Sequence, residues 1–160
     1  ISYVSLGDSI PEGYALPQHS NKDLNGFVAG SYPYSIRSFL QNSYANVSAI
    51  NYAKEGLTST QLKTQLVNLN KTTLTSEQQE MKTNIANADV ITICIGANDI
   101  LGPAQKNLLD IVRNSDFSQY LKDFDNGVNL FSNNLSIIVD QLNILNPTAN
   151  LIFSNMLLLP

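Results

Sequence analysis

The sequence predicts an α/β fold with a mainly parallel sheet, and three observations predict it. Short β-branched apolar runs alternate with amphipathic helical patterns, the order that builds βαβ units. The run Val90-Ile91-Thr92-Ile93-Cys94-Ile95 is continuous and apolar, as expected of a strand covered on both faces. Three strand-like runs lead into small-residue turns bearing polar groups: Gly7-Asp8-Ser9, Gly56, and Gly96-Ala97-Asn98-Asp99. A parallel sheet gathers such carboxyl ends along one edge.

In chain order, the first strand is read as Ser2 to Leu6, ended by Gly7. A long polar loop, Pro11 to Ser31, carries Pro11, Gly13, Pro17, Gly26 and Gly30; loops of this length are usually functional or mobile. A helix fits Tyr34 to Gln41, with Ile36, Phe39 and Leu40 on one face and Pro33 near its start. Val47 to Tyr52 reads as the second strand. From Ser59 a helix follows, with Leu62, Leu66 and Leu69 at helical spacing. Another spans Ser76 to Asn87, where Ser76 and Gln79 are spaced for a capping box. Asp89 to Ile95 is the third strand. A short helix is expected over Pro103 to Val112, and a long one over Phe117 to Leu145, interrupted or weakened near Gly127 and ended by Pro147. Asn150 to Ser154 is the fourth strand.

A chain of 160 residues calls for one domain, 1–160. The net charge is −4, and no run of Lys or Arg is present, which argues against nucleic acid and anionic membrane surfaces as partners. Only 14% of residues are charged, against about 25% in an average protein. The single cysteine, Cys94, excludes an intrachain disulfide and a multi-cysteine zinc site, and its apolar run reads as that of a buried thiol. No stretch approaches the ~20 apolar residues of a membrane span. The chain starts at Ile1, almost inside a strand, so a segment is expected upstream. Low charge and abundant Asn, Ser and Thr suit a secreted, soluble protein. An apolar strand followed by Leu157-Leu158-Leu159 would leave a bare edge, so the domain is expected to be incomplete at its C-terminus.

Ester hydrolysis needs a nucleophile and donors for a developing oxyanion. Ser9 supplies a hydroxyl, Gly56 lets a backbone N–H approach a substrate oxygen, and Asn98 offers a neutral side-chain N–H donor. Asp8 reads as a turn or cap residue and Asp99 as a brace for the turn carrying Asn98. Glu12 stands three residues after Ser9 but has no visible partner for work as a base. Tyr14 and Phe27 are loop aromatics that need no role at an acyl site. The sequons at Asn46, Asn70 and Asn134 are expected by chance in so Asn-rich a chain.

These residues together resemble the GDSL, or SGNH, hydrolases. Gly7-Asp8-Ser9-Ile10 is similar to their first block, Asn51 to Ser59 to their second, and Gly96-Ala97-Asn98-Asp99 to the Gly-x-Asn-Asp of their third. The resemblance runs from Tyr3 to about Asn155. It implies a flavodoxin-like three-layer α/β/α sandwich with a five-stranded parallel sheet, of which this chain carries four strands. It implies Ser9 as nucleophile, with the Ser9 N–H, the Gly56 N–H and the Asn98 side chain as oxyanion hole, with Asp8 and Asp99 supporting. No cofactor or metal is implied. The substrate is expected to be a small-molecule, lipid or acylated-carbohydrate ester.

The family's general base is a histidine in a C-terminal Asp-x-x-His block, which this chain lacks; its one histidine is His19, in the long loop. A serine without a base stays a weak nucleophile. The 160-residue chain alone is therefore expected to be inactive, with the Asp and His beyond Pro160. Two rivals remain: a non-catalytic ligand- or carbohydrate-binding module on the same fold, and a flavodoxin-like nucleotide binder, which the acids in the first turn disfavour.

Overall fold

The computed structural model describes residues 1–106 and 117–154. Four strands form one all-parallel sheet: β1 (Ser2–Gly7), β2 (Ser48–Asn51), β3 (Val90–Cys94) and β4 (Asn150–Phe153), in the order β2-β1-β3-β4. The chain leaves β1 to one side for β2 and returns to the other for β3. The order therefore reverses at β1, and a doubly wound sheet opens its crevice at the carboxyl ends beside such a point.

Strand composition follows position. β3 lies inside the sheet and is buried from Ile91 onward, whereas β2 and β4, at the two edges, are partly exposed. On one face Val4, Leu6, Ile91 and Ile93 pack against Leu62 and Leu66 of α3 (Ser59–Asn68), Ile85 of α4 (Ser76–Ala86), and Ile138 and Leu142 of the last helix. On the other, Tyr3 packs with Phe27 and with Leu40 of α2 (Tyr32–Ser43), and the Tyr3 hydroxyl is 2.8 Å from Thr92 Oγ1. Helices on both faces complete the layered α/β/α arrangement that the resemblance implies.

Helix starts are set by their caps. Ser31 accepts from the Tyr34 N–H at 3.4 Å, so α2 begins at Tyr32, two residues before the sequence reading put it. Thr58 and Gln61 make a reciprocal capping box at α3. At α4 the box uses Thr75 and Gln78, not Ser76 and Gln79. Both pairs have the required spacing; the extended backbone at Thr75 (φ −68°, ψ 165°) selects the earlier one.

Two expectations need correction. The long loop is not wholly irregular: α1 (Ser9–Glu12) is a one-turn helix directly after β1, and a 3₁₀ turn occupies His19–Asn21. The last helix, α6 (Ser118–Leu145), runs through Gly127 without a break. Gly127 is buried, and a Cβ there would overlap the Asp99 carbonyl oxygen and lie 2.9 Å from Ile100 Cα. It marks where α5 (Ala97–Lys106) crosses α6 backbone to backbone. Residues 107–112 of the helix expected over Pro103 to Val112 lie outside the described residues.

Candidate active site

The first block follows from the geometry of its strand end. Gly7, paired with Cys94 in the β1–β3 register, has φ +141°, and a Cβ on it would overlap the Cys94 carbonyl oxygen. A side chain is thus excluded where the two strands deliver their ends together. Asp8 donates its N–H to that same oxygen at 3.0 Å, and its side chain caps α1 by accepting from the Ile10 N–H at 3.1 Å. Ser9 is then the first residue of a helical turn, half-buried, with its own carbonyl accepting from the N–H groups of Gly13 and Tyr14. Asp8 is fully buried, and this burial pushes its carboxyl above the usual 3.8, partly offset by N–H donors from Ile10 and Ala97.

The second block is tied to the first. The Tyr52 N–H donates to the Ser5 carbonyl at 2.9 Å and the Lys54 N–H to the Gly7 carbonyl at 3.0 Å, carrying the β1–β2 ladder past the strand. Buried Asn51 donates through Nδ2 to the carbonyls of Pro11 and Gly26, at 2.9 and 3.2 Å, and accepts from the Ala53 N–H. Gly56 lies at the exposed tip, at φ +73°, with open space around it.

The third block is tied to the second. Asn98, half-buried in the first turn of α5, donates through Nδ2 to the Leu57 carbonyl at 2.8 Å. A carboxamide nitrogen carries two N–H groups, so this bond uses only one. Its neighbour Asp99 is buried and accepts from Ser59 twice, from the N–H and the hydroxyl, each at 2.8 Å. Asn134 of α6 completes the set from behind. Its Nδ2 donates to Ser59 Oγ at 2.9 Å and Thr60 Oγ1 at 2.8 Å, while its Oδ1 accepts from Lys63 Nζ at 2.7 Å.

Hydrogen bonds thus stitch the three loops bearing Ser9, Gly56 and Asn98 along one edge of the sheet. A shallow groove of about 380 Å³ borders Gly56 and continues along α3 past Leu57, Thr60, Gln61 and Gln65. A larger one, about 470 Å³, lies between α3 and α4 around Tyr52, Leu69 and Met81, away from Ser9 and Asn98.

Other candidates fall elsewhere. Phe27 is buried against Tyr3, under the Arg37 guanidinium at 4.3 Å, and belongs to the core. Tyr14 is exposed, its ring edge-on to His19 at 5.5 Å. Glu12, which the sequence leaves without a partner, is buried and has two, Lys22 and the Glu55 N–H, with His19 Nε2 3.7 Å away. Cys94 is buried and its thiol is pushed up by that burial. Asn134 is a core residue, not an exposed sequon. Asn51, Ser59 and Asn134 are the residues sequence reasoning left without a role. For Asn134 the signal was available: it falls on the stripe Gly127, Phe131, Ile138, Leu142, a polar residue in a buried face. Among the described residues no cluster of ligating side chains would hold a metal ion, and no helix is long and apolar enough to cross a membrane.

The profile of the family described as GDSL-like lipase/acylhydrolase matches residues 3–157. No curated protein matches the sequence. Among solved structures, the lipase Lip_vut3 from a goat rumen metagenome aligns with a TM-score of 0.64 at 21% identity, over 98% of this chain and 64% of that one. TesA aligns with a TM-score of 0.55 at 17% identity, over 96% of this chain and 59% of its own. At such identities the likeness concerns the fold. The chain spans less than two thirds of the length of either protein.

Proposed function

Since this chain belongs to the GDSL-like lipase/acylhydrolase family, we propose that it carries the nucleophile and oxyanion-hole portion of a serine hydrolase acting on carboxylic esters. Ser9 attacks the ester carbonyl. The N–H groups of Ser9 and Gly56 and the second Asn98 N–H bear the oxyanion of the tetrahedral intermediate, an acyl-enzyme forms as the alcohol leaves, and water releases the acid. This chemistry calls on no cofactor. The substrate is an ester of a small molecule, a lipid or an acylated carbohydrate.

The observation that carries this reading is the stitching of the three loops: Lys54 to Gly7, Glu55 to Glu12, and Asn98 to Leu57. Such bonds hold donors in place before charge develops, and outright removal of one donor typically costs about 2.7–4 kcal/mol of barrier lowering.

The proton acceptor is the missing part. His19 is the only histidine, and its Nε2 lies 3.7 Å from a Glu12 carboxylate oxygen. We therefore assign the base to the additional length that the aligned hydrolases have, and the 160 residues by themselves are expected to be inactive or nearly so. The same observation favours one second reading, a non-catalytic ligand- or carbohydrate-binding module that keeps the crevice. A fluorophosphonate probe separates them. Wild-type protein labelled on the Ser9 peptide, with labelling lost in Ser9→Ala, supports the hydrolase. Folded protein that carries a histidine block and still fails to label supports the binding module.

A further inference from the structure

Building on the hydrolase reading above, we propose that Glu12 is a positioning residue whose carboxylate fixes the loop 54–57 and with it the direction of the Gly56 N–H. Glu12 closes the same helical turn that Ser9 opens. Its residue is only 6% exposed, and a buried carboxylate persists only with partners. Oε2 accepts the Glu55 N–H at 2.6 Å, Oε1 pairs with Lys22 Nζ, and His19 Nε2 stands 3.7 Å from Oε2.

The loop tip needs such an anchor. No atom beyond its chain neighbours stands within 4 Å of where a Cβ on Gly56 would sit, so no packing on that side sets its orientation. The peptide plane bearing the Gly56 N–H is held from its two sides instead. Upstream, the Lys54 N–H is fixed on Gly7 and the Glu55 N–H on Glu12. Downstream, the Leu57 N–H returns to the Lys54 carbonyl at 3.1 Å, and the Leu57 carbonyl is held by Asn98. Of these ties, the one to Glu12 is charge-assisted, and such bonds are roughly twice as strong as neutral ones. It also makes α1 the common reference for Ser9 and Gly56. A shift of that turn carries nucleophile and donor together, and Lys22 fastens the long loop to the same carboxylate.

Three variants test this in the protein bearing its histidine block. Glu12→Ala removes the acceptor, Glu12→Gln keeps an oxygen for the Glu55 N–H, and Lys22→Met removes the ion pair but leaves the Glu12–Glu55 bond. The readouts are fluorophosphonate labelling at saturating probe, half-saturation, and amide exchange at Glu55. Glu12→Ala is expected to slow saturated labelling by roughly 10- to 100-fold, less than outright loss of a donor. Half-saturation should stay unchanged, and the Glu55 amide should lose protection. Glu12→Gln, which keeps a neutral acceptor, should fall between Glu12→Ala and wild type, and Lys22→Met should stay near wild type in all three. Wild-type labelling and protection in folded Glu12→Ala, or equal losses in all three variants, would overturn the proposal. A wild type that never labels defeats the hydrolase reading alone, because the exchange at Glu55 still decides whether Glu12 holds the loop.

Discussion

Asp8 sits between two demands at the residue scale. As N-cap it must accept from Ile10, yet it is fully buried beside Asp99, and burial raises its pKa above the ordinary 3.8. Well below that value it is neutral whether the chain is folded or not. As pH rises, the unfolded chain releases the proton first while the folded chain retains it, so stability falls between 3.8 and the raised folded value. Asn caps a helix about as well as Asp and does not titrate. Asp8→Asn should therefore gain stability relative to wild type as pH rises through this window, measured by urea denaturation at a series of pH values. A difference that stays flat or shrinks with pH would contradict the assignment. Ser59 illustrates the other side of burial: both of its donors end on Asp99, and Asn134 donates back to its hydroxyl, so that the buried polar groups of Ser59 are satisfied.

Among the elements, α6 carries the most instructive position. A glycine inside a helix costs about 1 kcal/mol relative to alanine, which is why the sequence suggests a break at Gly127. The helix is continuous because the glycine lets α5 approach until the Asp99 carbonyl occupies the space a Cβ would need. Gly127→Ala improves the helix in isolation but overpacks the crossing, where backbone rather than a flexible side chain must give way. We expect net destabilisation of about 1–3 kcal/mol, the usual range for overpacking, measured by chemical denaturation. A stabilised variant would mean that α5 and α6 can separate at the crossing without cost. The same displacement would move Asp99, next to Asn98, so labelling at Ser9 should slow as well.

Across the whole molecule, the sheet is covered unevenly. β4 pairs with β3 on one side, and among the described residues nothing pairs with its other side. Ile152 and Phe153 on this strand are 51% and 44% exposed. Edge strands with apolar side chains associate with one another unless charged or covered. The 160-residue chain should therefore self-associate in a concentration-dependent way, and Ile152→Lys should reduce this in sedimentation velocity; association unaffected by Ile152→Lys would locate the contact elsewhere. By itself the sequence determined the fold class, the four strands and the blocks at their ends, because a short β-branched apolar run and a glycine after it are local signals. It put the α4 capping box one residue late, on Ser76 and Gln79, because that pair has the same spacing as Thr75 and Gln78, which form it. Only the tertiary structure decided that Gly127 marks a crossing rather than a break and that Glu12 joins the first block to the second. Each of these depends on a neighbour tens of residues away, and distant neighbours leave no periodic trace in the chain that meets them.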